Sequence, residues 1–286
     1  MTILLQDALG REIRMPRPAR RVVSLVPSET HSVAALAGTE RLVGRTDYCV
    51  EPPSIQGLPS VGGTKDVDVE KVRALAPDLV LANQEENARP AIESLIAAGV
   101  PVHVSFPRTV PEALAYLGSL ATLLGVEEPA IARRAFARHA VIERTPRRVF
   151  VPIWRDPWMT FDENAFASDL LALVGAQNVF ADRPRRYPLA ADLGKRAAMT
   201  GARVAGRDTR YPRIQLQEVV ERAPDLVLLP DEPYAFGPAD RDVLAELLPE
   251  AEVRLTDGKD LFWYGARLAT SIDALAEAVD RRSRPA

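Results

Sequence analysis

The chain has 286 residues, 47% of them hydrophobic and 26% charged, with a net charge of −3. That length suits two ordinary domains, and the charge gives no reason to expect a nucleic-acid partner. No apolar run reaches the roughly 20 residues that span a bilayer, so no transmembrane segment is expected.

The single cysteine, Cys49, rules out an internal disulfide. The opening MTILLQDALGREIRMP lacks a charged start, a long apolar stretch and a small-residue cleavage site. It therefore reads as no secretory signal, and a chain starting natively at Met1 would be cytoplasmic.

In chain order, Leu4 to Ile13 reads as a small hairpin, ended by Pro16 and Pro18. Val22 to Val26 is an apolar run of the kind a doubly buried parallel strand needs. Pro27 stops it, Ser28 is placed to cap a helix over Glu29 to Ala37, and Gly38 ends that helix. Expected next are a strand at Leu42, a helix after the cap Asp68, strands at Leu79 to Ala82 and Val102 to Phe106, and helices at Ala91 to Ala98 and Pro111 to Leu124. The stretch Glu127 to Thr145 is expected as one connecting helix, with Glu127 and Glu128 in its first turn and Arg144 in its last.

Beyond it the alternation repeats. Strands are expected at Val149 to Ile153, Asn178 to Phe180, Leu226 to Leu229 and Val253 to Leu255. Helices are expected at Ala167 to Val174, Leu216 to Ala223, Asp240 to Leu247 and Ala266 to Val279, and the basic tail Arg281 to Ala286 is expected to be frayed. The excursion Ala181 to Pro212 is rich in arginine and shows no core pattern.

Two strings recur: Arg-Arg-Val with an apolar residue at Arg20 to Val23 and Arg147 to Phe150, and Ala-Pro-Asp-Leu-Val-Leu at Ala76 to Leu81 and Ala223 to Leu228. The expected fold is α/β, two similar open, mainly parallel sheet lobes joined by one long helix. The expected domains are 1–126, a connecting helix 127–145, and 146–286.

With these repeats, DALGREIRMPRPARRVVSLVPS, GGTKDVDVEKVRALAPDLVLANQEEN and DLFWYGARLA resemble the substrate-binding proteins of ABC importers that bind metal chelates and have a helical backbone. That resemblance implies a monomer holding a corrinoid, haem or ferric siderophore between its lobes, outside the cytoplasm, with an ABC permease as partner. It implies no catalysis and no cofactor. The cobalamin receptors of this family carry an aromatic residue where this chain has Thr64.

In open α/β sheets ligands bind beyond the carboxyl ends of the strands. The residues falling there are Ser28, Tyr48, Lys65 and Glu85 in the first half, and Trp154, Arg155, Trp158, Tyr211, Phe262, Trp263, Tyr264 and Arg267 in the second. All three tryptophans are thus expected in loops of the second lobe. Aromatic faces would stack on a flat chelate, and Lys65, Arg155 and Arg267 would pair with peripheral carboxylates or phosphate. The same aromatics have a second reading, as plugs of a lobe core. The resemblance implies docking on the permease through one acid per lobe, here Glu86 and Glu218.

A bare transition metal needs His and carboxylate ligands from both lobes, and His31, His103 and His139 do not supply them. Two alternatives stay open: a cytosolic chelate carrier or sensor, and a two-lobed nucleotide-dependent transferase using the Gly62 to Lys65 loop.

Overall fold

The structure is a computed structural model that describes residues 2–142 and 145–280. The chain divides into two compact units. Unit 1 takes the described residues up to Arg133 together with Trp263–Ala269. Unit 2 takes Arg134–Phe262 and the described residues from Thr270.

Unit 1 contains strands β1 (Ile3–Gln6), β2 (Glu12–Met15), β3 (Val22–Ser24), β4 (Leu42–Arg45), β5 (Leu79–Asn83) and β6 (Val102–Ser105). Its helices are α1 (Pro27–Ala37), α2 (Val69–Ala74), α3 (Arg89–Ala97) and α4 (Val110–Leu124). The first two strands form the expected antiparallel hairpin. The other four form a parallel sheet in the order β4-β3-β5-β6.

Every residue of β3, β5 and β6 is buried, the polar Ser24, Asn83, His103 and Ser105 included, as in strands covered on both faces. Asp68 caps α2 by accepting the Lys71 N–H at 3.0 Å, and Thr109 caps α4 by accepting that of Glu112 at 3.3 Å. Ser28 is not a cap: Val26 holds that position and Pro27 opens α1, which puts Ser28 inside the first turn, buried.

The boundary between the units falls inside α5 (Ile131–Ala140). This helix is shorter than the expected Glu127 to Thr145: it begins at Ile131, after Pro129, and ends at Ala140, while residues 143–144, including Arg144, lie outside the described residues. Its Arg138 and His139 both reach Asp273, at 2.5 and 2.8 Å.

Unit 2 contains β7 (Arg147–Phe150), α6 (Phe166–Leu173), β8 (Ala176–Asn178), α7 (Leu189–Asp192), α8 (Leu216–Arg222), β9 (Leu226–Pro230), α9 (Pro238–Leu247), β10 (Glu252–Thr256), α10 (Lys259–Phe262) and α11 (Leu268–Asp280), the last begun in unit 1. The expected basic tail, Arg281 to Ala286, lies outside the described residues. The sheet is parallel in the order β8-β7-β9-β10, so it repeats the topology of unit 1 strand for strand.

The repeated strings hold equivalent places in the two sheets. Val22 pairs with Leu79, and Val149 pairs with Leu226. In each unit an arginine folds back on the carbonyls before the Ala-Pro-Asp turn: Arg21 on Ala76 at 3.1 Å, and Arg148 on Ala223 at 3.2 Å.

The excursion after β8 is organised around a buried carboxylate. Asp192 accepts the Arg183 guanidinium and the backbone N–H of Arg186, each at 2.9 Å, and that of Arg213 at 2.7 Å. Its order thus comes from a polar centre, which an apolar-periodicity reading cannot register.

Candidate ligand site

Three loops leave the carboxyl ends of strands β7, β8 and β9 in unit 2. The first turns back on itself, with Ile153 N–H on Met159 O at 2.8 Å and Met159 N–H on Trp154 O at 3.1 Å. It thereby presents Trp154, Arg155 and Trp158 together. The second, the long excursion, returns alongside it: Thr160 N–H meets Pro212 O at 3.1 Å and Ile214 N–H meets Trp158 O at 2.9 Å. That pairing brings Tyr211 to the same edge.

The third loop contributes two rings that sequence reasoning missed, Tyr234 and Phe236. Trp158 lies nearly parallel to Phe236, with centroids 5.8 Å apart and an interplanar angle of 12°. Tyr234 sits 4.6 Å from Phe236 and meets Trp154 edge-on at 5.5 Å. Arg155 lies 5.7 Å from the Trp158 ring and is ion-paired with Asp240 on α9. Trp154 remains 44% exposed, so this aromatic bank has an indole open to solvent at its edge. Such a surface offers apolar area and stacking faces at low entropic cost.

The excursion adds charge. Between Ala181 and Arg213 there are nine basic and three acidic residues. The acids are engaged: Asp182 with Arg222, Asp192 with Arg183, and Asp208 with Arg210. The guanidinia of Arg185 and Arg207 lie 4.4 and 4.9 Å from the Tyr187 ring, and Arg210 lies 5.3 Å from Tyr211. Burial, together with the neighbouring positive charge of Arg185, holds Arg213 below its ordinary pKa. Like charges crowded in this way favour an anion beside them.

Unit 1 presents a different edge. Tyr48, in the loop after β4, is 64% exposed. The Lys65 ammonium donates to the carbonyl of Glu85. The amides of Glu85 and Glu86 both donate to Asn83 Oδ1, at 2.7 and 3.1 Å, leaving the Glu86 side chain exposed. The Gly62 to Lys65 loop does not form a helix N-terminal anion site. The helix after it is capped by Asp68, whose own carboxylate already takes the Lys71 N–H.

Phe262 belongs to unit 2 and meets Phe161 edge-on at 6.2 Å. Trp263 and Tyr264 do not belong to the second lobe as expected; both are buried in unit 1. Trp263 lies 5.8 Å from His31, and Tyr264 is hydrogen-bonded to Asn83. Arg267 is half-buried in the short turn that leads into α11. Glu218 is half-buried, with its carboxylate on Arg183 Nε at 3.0 Å and on the Gln215 N–H at 3.3 Å.

Cys49 is fully buried beside Thr46 at 3.1 Å, and burial pushes its thiol up, which suits a packed residue and not a nucleophile. Among the described residues no three His, Cys, Asp or Glu side chains are grouped to hold a metal ion. Nor is any described helix long and apolar enough to cross a membrane.

Residues 22–242 match the sequence profile of the Periplasmic binding protein family, and the chain belongs to that family. It is a family of binding proteins, not of enzymes. A vitamin B12-binding protein of Yersinia pestis (strain Pestoides F) is 30% identical over 177 residues, 59% of this chain. The match spans 63% of that relative's length. Among solved structures, the periplasmic heme-binding protein RhuT from Roseiflexus sp. RS-1 superposes with a TM-score of 0.70 at 21% identity, covering 91% of this chain and 98% of its own. The periplasmic vitamin B12 binding protein BtuF of Vibrio cholerae gives 0.70 at 20% identity, covering 93% and 100%. These likenesses establish the fold: two parallel four-stranded sheets with surrounding helices.

Proposed function

We propose that this chain is the substrate-binding protein of an ABC importer and that it carries a metal chelate, a corrinoid, haem or ferric siderophore. The observation that carries the reading is the aromatic bank at the carboxyl edge of the unit 2 sheet, where Trp158 stacks on Phe236 and Trp154 stands exposed. A rigid bank of this kind suits a flat or compact chelate. Family membership and the B12- and heme-binding relatives support the same ligand class.

In this reading the loops carrying Trp154, Trp158, Tyr211, Tyr234 and Phe236 contact the ligand, and Arg155, Arg185 and Arg213 meet its carboxylates. Glu86 and Glu218 are the proposed acids for docking on permease arginines, and the protein works outside the cytoplasm. The test is a tryptophan-fluorescence titration with cobalamin, cobinamide, haem, ferric siderophores and nucleotides. Saturable quenching by one of the chelates and none by nucleotides is the expected result; the reverse pattern overturns the proposal.

A further inference from the structure

A carboxylic acid that no functional role has claimed lies sealed beneath the carboxyl edge of the unit 1 sheet. Glu29 occupies the first turn of α1, where an acid usually faces solvent and the helix dipole. Here it is completely buried. Its Oε1 accepts from the Ser105 hydroxyl at the end of β6 and from the Tyr264 hydroxyl at 3.2 Å. Its Oε2 has no hydrogen-bond partner among the described residues, and neither has the hydroxyl of Tyr116 on α4, which faces the carboxyl. An ionised carboxylate only accepts hydrogen bonds, so one with a bare buried oxygen is costly. A proton on Oε2 removes the charge and supplies a donor where an acceptor hydroxyl stands.

The same group fastens a segment that comes from far along the chain. Tyr264 Oη takes the Asn83 amide at 2.9 Å and lies 2.8 Å from Ser105 Oγ. Its ring meets Tyr116 edge-on at 5.4 Å, and the Ala266 N–H donates to Ser32 Oγ at 3.0 Å. Gly265, with φ of +80°, lies so close to Ser32 that a Cβ there would displace the serine hydroxyl. Glu29 therefore sits at the centre of the attachment of Trp263–Ala269 to unit 1.

We propose that Glu29 is a proton-binding site that clasps the Trp263–Ala269 segment to unit 1, closed most firmly when the carboxyl is protonated and loosened as the proton leaves. Burial is the main cause that pushes the acid up, to about 7, against the neighbouring hydroxyls of Ser105, Tyr264 and Tyr116, which act the other way; the charge of Glu86, in the turn after β5, raises it further. Three other titratable groups nearby carry no charge at neutral pH. Burial pushes the Tyr116 and Tyr264 hydroxyls up, and it pushes His103 on β6, 5.7 Å from the Tyr116 ring, down to about 4. His31, on α1, faces Trp263.

When the segment lifts, Glu29 meets water and regains ordinary acidity, so a rise in pH favours the open form. The test is hydrogen exchange of the amides of residues 263–269 in the full chain, corrected for intrinsic pH effects and referenced to core amides of β5. The opening constant is expected to rise about tenfold between pH 6 and 8 in the wild type and to stay level in Glu29→Gln. A flat wild-type profile, or the same slope in Glu29→Gln, overturns the proposal. Should Glu29→Gln fail to fold, carbon-13 NMR of the wild-type side chain decides. A Glu29 carboxyl titrating near neutrality upholds the clasp, and one with the ordinary glutamate pKa overturns it.

Discussion

The carboxylate of Asp225 accepts the backbone N–H of Arg148 at 2.9 Å, just as Asp78 accepts that of Arg21 at 2.8 Å. In each unit this bond ties the start of the central strand to the turn before its neighbour. The turn requires the preceding alanine to be left-handed: φ is 45° at Ala76 and 42° at Ala223.

Alanine in that region costs roughly 1–2 kcal/mol, a cost glycine does not have, although glycine loses more chain entropy on folding. Ala223→Gly should therefore be neutral or stabilising by up to about 1 kcal/mol in urea denaturation. Ala223→Val, branched at a positive φ, should destabilise by about 2 kcal/mol.

Glu29 should govern the pH dependence of global stability. Its folded pKa, about 7, lies above the ordinary value of 4.5. Between these values the folded state holds more protons than the unfolded one, so this group makes stability fall from pH 4.5 to 7 and stay level above. The full effect is about 3 kcal/mol at most. Denaturation midpoints of wild type and Glu29→Gln should diverge across that window, with the variant relatively more stable at pH 8. Parallel curves would contradict the assignment.

The buried pair Arg183–Asp192 should be costly to break. Asp192 has no exposed side-chain surface and serves Arg183 and two backbone amides. Asp192→Asn removes the fully buried one of the two carboxylates paired with Arg183, the other being the half-buried Glu218, and a loss of about 3 kcal/mol in stability is expected. Circular dichroism and urea midpoints check it.

Arg185 and Arg213 should discriminate among ligands. Arg185→Gln removes the neighbour that lowers the Arg213 pKa, so it should leave the stability of the free protein unchanged or slightly raised. The same substitution should weaken a carboxylate-bearing chelate about tenfold while leaving a ligand without carboxylates unaffected. Calorimetry with matched ligands at low and high salt reads both effects.

Much of the fold was legible in the residues. Leu79–Ala82 and Leu226–Pro230 are unbroken apolar runs of the kind that strands covered on both faces require. The repeated Ala-Pro-Asp turn marked the two units because its backbone geometry is unusual. Less was legible at the ends and in the site. Ser28 looked like a cap since serine after a strand often is one, yet Pro27 takes the first helical position and moves the cap back to Val26.

Trp263 and Tyr264 follow a unit 2 helix in sequence, and linear order does not encode the chain's return into unit 1. Tyr234 and Phe236 stand between Pro233 and Pro238 and read as a plain loop. Their place just beyond the carboxyl end of a buried strand was the available signal. The burial of Glu29 had none, since an acid in a helix's first turn is the ordinary surface pattern.

The most direct test of the binding role is calorimetric titration of the wild type, Trp154→Ala and Trp158→Ala with the chelates and with nucleotides. The account predicts one-to-one binding of at least one chelate, weakened about tenfold or more by loss of either indole, and no nucleotide binding. Chelate affinity untouched by both substitutions, or heat from nucleotides alone, would contradict it.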